Sequence, residues 1–202
     1  MAETGLRERK KAATKAALGT ATLRLAIAKG GIELVTADEI AAEAGVSTRT
    51  FHNYFPNKEA AFLHDFHEMT TAFVEGVRER AAHQPIWDAL RDAAIDLRIN
   101  ERMDLGEIKC REQLVHASPS LIKEQSGQFM DLFTEVLGLV ADATGTRPDD
   151  MYPRLLLGAA LVAMKTANEH WITDPGAQTL GEVIAASFAV FERGVTQPPP
   201  AA

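Results

Sequence analysis

The chain has little from which to build anything but helices. It carries one cysteine, Cys110, which leaves no partner for an intramolecular disulfide and fits a reducing compartment, so a cytoplasmic setting is the expectation. Its longest run of purely apolar residues and glycine, Leu155 to Met164, is ten residues, whereas a membrane span needs about 20. That run reads as a buried helix, and no membrane association is expected. Arg7, Arg9, Lys10 and Lys11 are not followed by an apolar stretch, so no secretory signal is expected either. No segment shows convincing period-2 alternation bounded by turn residues, which excludes committed strands. Glycine-rich phosphate loops, nucleophile elbows and paired catalytic carboxylates are missing as well, so no enzyme, cofactor or metal site is expected. Low complexity is confined to Pro198-Pro199-Pro200, within a tail (196–202) expected to be disordered.

What is present is an apolar content of 46% and a lopsided charge. The net charge of −7 looks hostile to nucleic acid. Residues 1–60, however, hold nine Lys and Arg against seven Asp and Glu, and residues 61–202 hold twelve against twenty-one. The acidity lies outside the first 60 residues, and phosphate attraction follows the local field rather than the overall charge. Within the first fifteen residues five basic side chains face two acidic ones, a basic arm.

The most informative stretch runs from Thr36 to Lys58. Thr36 can cap a helix, Glu39 three residues later completes a capping box, and Val35 and Ile40 stand where a hydrophobic staple would be. Gly45 supplies the left-handed residue that ends this helix, with Val46 fixing the bend. Ser47 caps a second helix, and Pro56 stops it. That helix, roughly seven residues and about 10 Å long, fits a DNA major groove about 12 Å wide. The pair is a helix-turn-helix.

The remaining punctuation predicts about nine helices in all. The first runs from about Glu8 to Ala28, stopped by Gly30-Gly31, with Gly19 inside it as a blemish. Asn57 caps a fourth helix expected to continue to about Ala82, stacking Phe62, Phe66, Met69 and Phe73. Others are predicted over about 86–99, 104–117, 119–143, 149–173 and 179–194. On the fourth helix His64 and Glu68 share a face turned away from the phenylalanines, so both are expected to meet water. The eighth and ninth predicted helices, about 149–173 and 179–194, are apolar around most of their circumference. The expected way to bury the second face is a homodimer through this pair, with a central helix inside one subunit as the alternative.

From the first helix through Lys58 the chain resembles the TetR family of transcriptional regulators. The resemblance rests on Thr36, Ile40-Ala41, Ala44-Gly45-Val46-Ser47, Phe51, Tyr54-Phe55 and Lys58. It implies an all-α protein with a three-helix DNA-binding domain (1–60) and a helical ligand-binding and dimerisation domain (61–195). Carried over by position, Thr36 and Ser47 would touch phosphate as well as cap. Thr48, Arg49, Thr50 and Asn53 would face the groove, and Tyr54 and Lys58 would hold backbone phosphates. His52 stands where the family usually has Tyr or Phe, at a stacking or phosphate contact. The chemistry agrees: Arg suits guanine, Asn suits adenine and Thr can meet a thymine methyl.

The resemblance further implies a pseudo-palindromic operator bound by a homodimer, the sign read as repression, and release by a small molecule that favours the DNA-incompetent state. A lining for a mostly apolar effector can be drawn from Phe66, Trp87, Cys110, Phe129, Phe133, Met164 and Trp171, with His116 and Asn168 as polar handles. The competing reading from another class is a helical ligand-binding or scaffold protein without DNA-binding activity.

Overall fold

Among the described side chains of the N-terminal helix α1 (Ala2–Lys29), Arg7 through Ala13 are exposed and Leu18 is the first that is buried. In the computed structural model, which describes residues 2–97, 105–174 and 178–194, α1 ends where Gly30 takes φ 78°. A 3-10 turn (Ile32–Leu34) leads into α2 (Ala37–Glu43) and α3 (Thr48–Tyr54). Then follow α4 (Lys58–Phe62), α5 (His64–Ala81), α6 (Ile86–Asp96), α7 (Leu105–Ala117), α8 (Pro119–Thr144), α9 (Met151–Thr173) and α10 (Leu180–Arg193). No strand occurs among the described residues, and the fold is all-α. None of these helices is long and apolar enough to cross a membrane. The tail 196–202 lies outside the described residues.

The predicted single helix over about 58–82 is two helices broken at Leu63, which accounts for the tenth α-helix. Ala61, Phe62, Leu63 and His64 are all buried. A straight helix would fan four consecutive side chains through about 300°, so no single packed face could hold them. Leu63 leaves the α4 helix with φ −90° and ψ 12°, and its carbonyl accepts from the His67 amide at 2.9 Å to start α5.

Contacts divide the chain into two compact units. The first holds α1 to α4, the first turn of α5, α7 and α8 as far as Phe129. Its core is built from Leu18, Ile32, Val35, Ile40, Phe51, Phe62 and Leu63 together with Leu114, Val115 and Leu121. The second holds the rest of α5, α6, the rest of α8, α9 and α10. Here Val77, Leu90, Val140, Leu157 and Phe188 form the centre. Ala160, Ala163 and Ala167 are its small buried residues on α9. The opposite face of α9 is not covered: Leu155 is 63% exposed and Val162 54%.

Candidate nucleic-acid interface

The turn between α2 and α3 is built by the predicted residues. Thr36 accepts from the Glu39 amide at 3.3 Å, and the Glu39 carboxylate accepts from the Thr36 amide at 3.0 Å, closing the capping box. Gly45 has φ 68°, and the Val46 amide reaches back to the Ala41 carbonyl at 2.9 Å. Ser47 accepts from the Thr50 amide at 3.1 Å and pairs with the Thr50 hydroxyl at 2.8 Å. Thr48 donates to Asp38 at 2.5 Å, tying the start of α3 to α2.

With its N-terminus fixed in this way, α3 buries Phe51 and is followed by buried Phe55. Arg49, His52 and Asn53 are exposed at i, i+3 and i+4, on one helical face. Thr48, Thr50 and Tyr54 are half-buried, and Thr36 and Ser47 are exposed with their hydroxyls engaged in caps. Three cations of α1 are paired locally: Lys29 meets Glu39 at 2.6 Å, Arg24 meets Glu43 at 3.0 Å and Lys15 meets Glu68 at 3.4 Å. Among the described residues Arg49, Arg7, Arg9, Lys10 and Lys11 have no carboxylate in ion-pair range.

Lys58 makes bonds that the sequence did not announce. Its ammonium donates to the carbonyls of Glu33 at 3.2 Å and Val35 at 3.1 Å, so α4 is fastened to the 3-10 turn before α2. One of its three N–H bonds remains for another acceptor. Glu33 in turn accepts from the Ser118 hydroxyl, and Glu59 accepts from Ser120 at 3.1 Å. The Ser118 bond, followed by the Glu33 backbone amide and the Lys58 charge, holds the Glu33 carboxyl below the usual carboxylate range. The start of α8 is thus bonded to the two segments that flank the helix-turn-helix.

The expectation that His64 meets water is overturned. Its ring is buried, edge-on to Phe55 at 5.5 Å between centroids, and sits where a Cβ on Gly19 would come within 3.0 Å of its Cδ2 atom. The helix break at Leu63 resets the 100° register on which the expectation relied. Glu68 does face solvent, and the His64 Nδ1 atom lies 3.7 Å from it. Burial, more than the nearby Lys15 charge, pushes the His64 imidazole down and favours the neutral ring. Gly19 is therefore not a blemish but the recess that admits this ring.

The candidate effector residues fall in both units. In the first, Phe66 and Cys110 are half-buried, while His116 and Phe129 are exposed. In the second, Trp87, Phe133, Met164 and Trp171 pack against the core, with Asn168 half-buried. Both indole N–H groups are already engaged: Trp87 donates to Glu192 at 3.0 Å and Trp171 to the Gln178 carbonyl at 3.1 Å. Sequence reasoning passed over Arg111, which occupies a core-facing position of α7 between buried Ile108 and buried Leu114. The spacing i−3, i+3 was the available signal.

A capped helix-turn-helix with a solvent-facing Arg, His and Asn, set in an all-helical chain, defines a class, and comparison with known proteins names it. Residues 20–64 match the family model described as bacterial regulatory proteins, tetR family, and the chain belongs to that family of transcriptional regulators. Residues 84–196 match a model described as the MftR C-terminal domain. Accordingly, the chain is 25% identical over 166 residues to the protein named as the mycofactocin biosynthesis transcriptional regulator MftR of Mycobacterium tuberculosis, covering 82% of this chain and 83% of that one. It is 26% identical over 174 residues to the HTH-type transcriptional regulator TcmR of Streptomyces glaucescens, covering 83% and 76%. Among solved structures, the FadR repressor of Thermus thermophilus in complex with lauroyl-CoA shares the fold at TM-score 0.55 and 22% identity, over 93% of this chain and 98% of that one. NalD of Pseudomonas aeruginosa does so at TM-score 0.57 and 16% identity, over 90% and 95%.

Proposed function

We propose that this chain is a ligand-responsive repressor that binds a pseudo-palindromic operator as a homodimer. The observation that carries the reading is the solvent-facing row Arg49, His52 and Asn53 on α3, opposite buried Phe51. Arg49 and Asn53 read base edges, the former suited to guanine and the latter to adenine, while His52 and Tyr54 reach the backbone. Thr36, Ser47, Thr48 and Thr50 line the approach, and Lys58 uses its remaining N–H on a phosphate. Two copies associate through α9 and α10, presenting two α3 helices to half-sites about one helical turn apart. The exposed Leu155 and Val162 on α9 support that interface, because burying them needs a second surface.

Effector binding shifts the population away from the operator-bound state. The lauroyl-CoA held by the Thermus thermophilus relative supports an effector with a large apolar part. Selection of bound sequences from random duplex DNA tests the core of the reading, and a gel shift on the chain's own upstream region follows it. Recovery of an inverted repeat is the expected result. No enrichment at low salt leaves the non-DNA-binding ligand or scaffold protein in its place.

A further inference from the structure

We propose that Arg111 anchors the oxyanion of an amphiphilic effector, a carboxylate or phosphate ester on an apolar chain, at the break between α4 and α5. This rests on the effector-responsive reading above and names the chemistry of its ligand.

The argument begins with helix position. On α7, Ile108, Leu114 and Val115 are buried, and Arg111 lies at i+3 from the first and i−3 and i−4 from the others. An arginine thus occupies a core-facing place, with its side chain only 15% exposed. Its guanidinium lies over the Phe62 ring, 6.0 Å from the centroid. The Nη2 atom is buried and makes no hydrogen bond. The one ion-pair partner among the described residues, Asp65, stands 3.6 Å from Nη1 and is itself 58% exposed. That distance is too long for a hydrogen bond. Burial therefore pushes the guanidinium below the usual arginine range, and the charges of Asp65 and Glu107 only partly oppose it.

Buried polar groups are otherwise nearly always paired, and a buried cation without a full set of partners is the costliest exception. Structural arginines in such places hold a carboxylate in a two-bond fork; here neither bond of the fork is made. An incoming oxyanion would fill it and compete with Asp65, the second residue after the break at Leu63. The apolar neighbours, Phe62 above all, suit the hydrocarbon adjoining the charged end. Because Phe62 closes α4, whose first residue is Lys58, the site is one short helix away from the 3-10 turn that Lys58 holds.

The test uses the full chain and three probes below their micellar concentrations: decanoate, decyl phosphate and decan-1-ol. Binding is read by calorimetry and thermal shift, and DNA release by fluorescence anisotropy on a duplex selected from random sequence. At least one oxyanion probe should raise the melting temperature and release DNA, and decan-1-ol at equal concentration should do neither to the same extent. Arg111→Met should weaken oxyanion binding about tenfold or more while melting no lower than the unaltered chain, because it removes an unpaired buried charge. Arg111→Lys, which keeps the charge without the fork, should fall between them. Equal binding of decanoate and decan-1-ol, failure of both oxyanion probes to bind, undiminished binding by Arg111→Met, or a large drop in its melting temperature would each overturn the anchor. If the unaltered chain selects no DNA, the regulator reading fails, and the calorimetric comparison still decides the role of Arg111.

Discussion

Seven residues make α2 and seven make α3, whereas α9 runs to 23. The short helices are fixed at their ends: Thr36, Gly45 and Ser47 supply bonds that are local in sequence, and each helix needs only one or two buried side chains to dock. The long helix lacks a side-chain cap bond at Asp150 and is held by packing, through Leu157, Ala160, Ala163 and Ala167. Its opposite face carries apolar side chains, Leu155 and Val162, that are more than half exposed. A surface that must present hydrogen-bonding groups to DNA is thus set by local rules. The surface proposed to meet a second chain is set by exposed apolar area.

The comparison breaks most sharply if α9 is altered. Leu155→Glu combined with Val162→Glu should weaken self-association about 100-fold or more, since burying each side chain contributes about 1.5–3 kcal/mol and symmetry counts it twice. Sedimentation at graded concentrations reads this, and operator affinity should fall with it while the head melts as before. A stable monomer in the unaltered chain would remove the contrast altogether.

Next in size is Gly19→Ala. Helix propensity alone predicts a gain of about 1 kcal/mol. The new Cβ would meet His64 at 3.0 Å and the Ala61 carbonyl oxygen at 3.3 Å, so a loss of about 1–3 kcal/mol is expected in thermal melting. The sign decides whether long-range packing intrudes on the locally specified head.

Two substitutions at the DNA face should then part company. Arg49→Ala should cost about 1–3 kcal/mol at one base-pair position and relax preference there, as read by competition between operator variants. Lys58→Ala should weaken binding evenly across sequences and also lower thermal stability by about 1 kcal/mol, because the Glu33 and Val35 carbonyls lose their donor.

The smallest effect sharpens the account of the caps. Thr36→Ala should destabilise the head by about 1 kcal/mol. The Lys29 ammonium, followed by the Thr36 amide and hydroxyl, holds the Glu39 carboxyl at about 2, against an ordinary 4.5. A lowered folded value means that this contribution is whole above pH 4.5 and is lost as the pH falls toward 2. Melting curves across that window should slope less in Thr36→Ala than in the unaltered chain, with no difference in slope between pH 6 and 8.

The head was legible because its signals are nearest-neighbour ones. Thr36, Glu39 and Ser47 make the predicted cap bonds, and Gly45 takes the predicted left-handed conformation. The break at Leu63 was not legible, since nothing in Ala61-Phe62-Leu63-His64 says that all four must be enclosed. His64 was misplaced as a consequence, and Lys58 was credited with phosphate alone because its carbonyl partners lie more than twenty residues away. Arg111 escaped notice for a related reason: a charged residue on a helix is by default a solvated one, and only the burial of Ile108 and Leu114 shows which way it faces.

The fastening of Ser118 and Ser120 onto Glu33 and Glu59 bears on how such a protein can be engineered. A hybrid regulator made by splicing a foreign sensor after residue 60 would strip two carboxylates of their hydroxyl donors and uncover the apolar side that Leu114, Val115 and Leu121 occupy. Domain exchange should succeed only when the 105–129 segment travels with its native reading head.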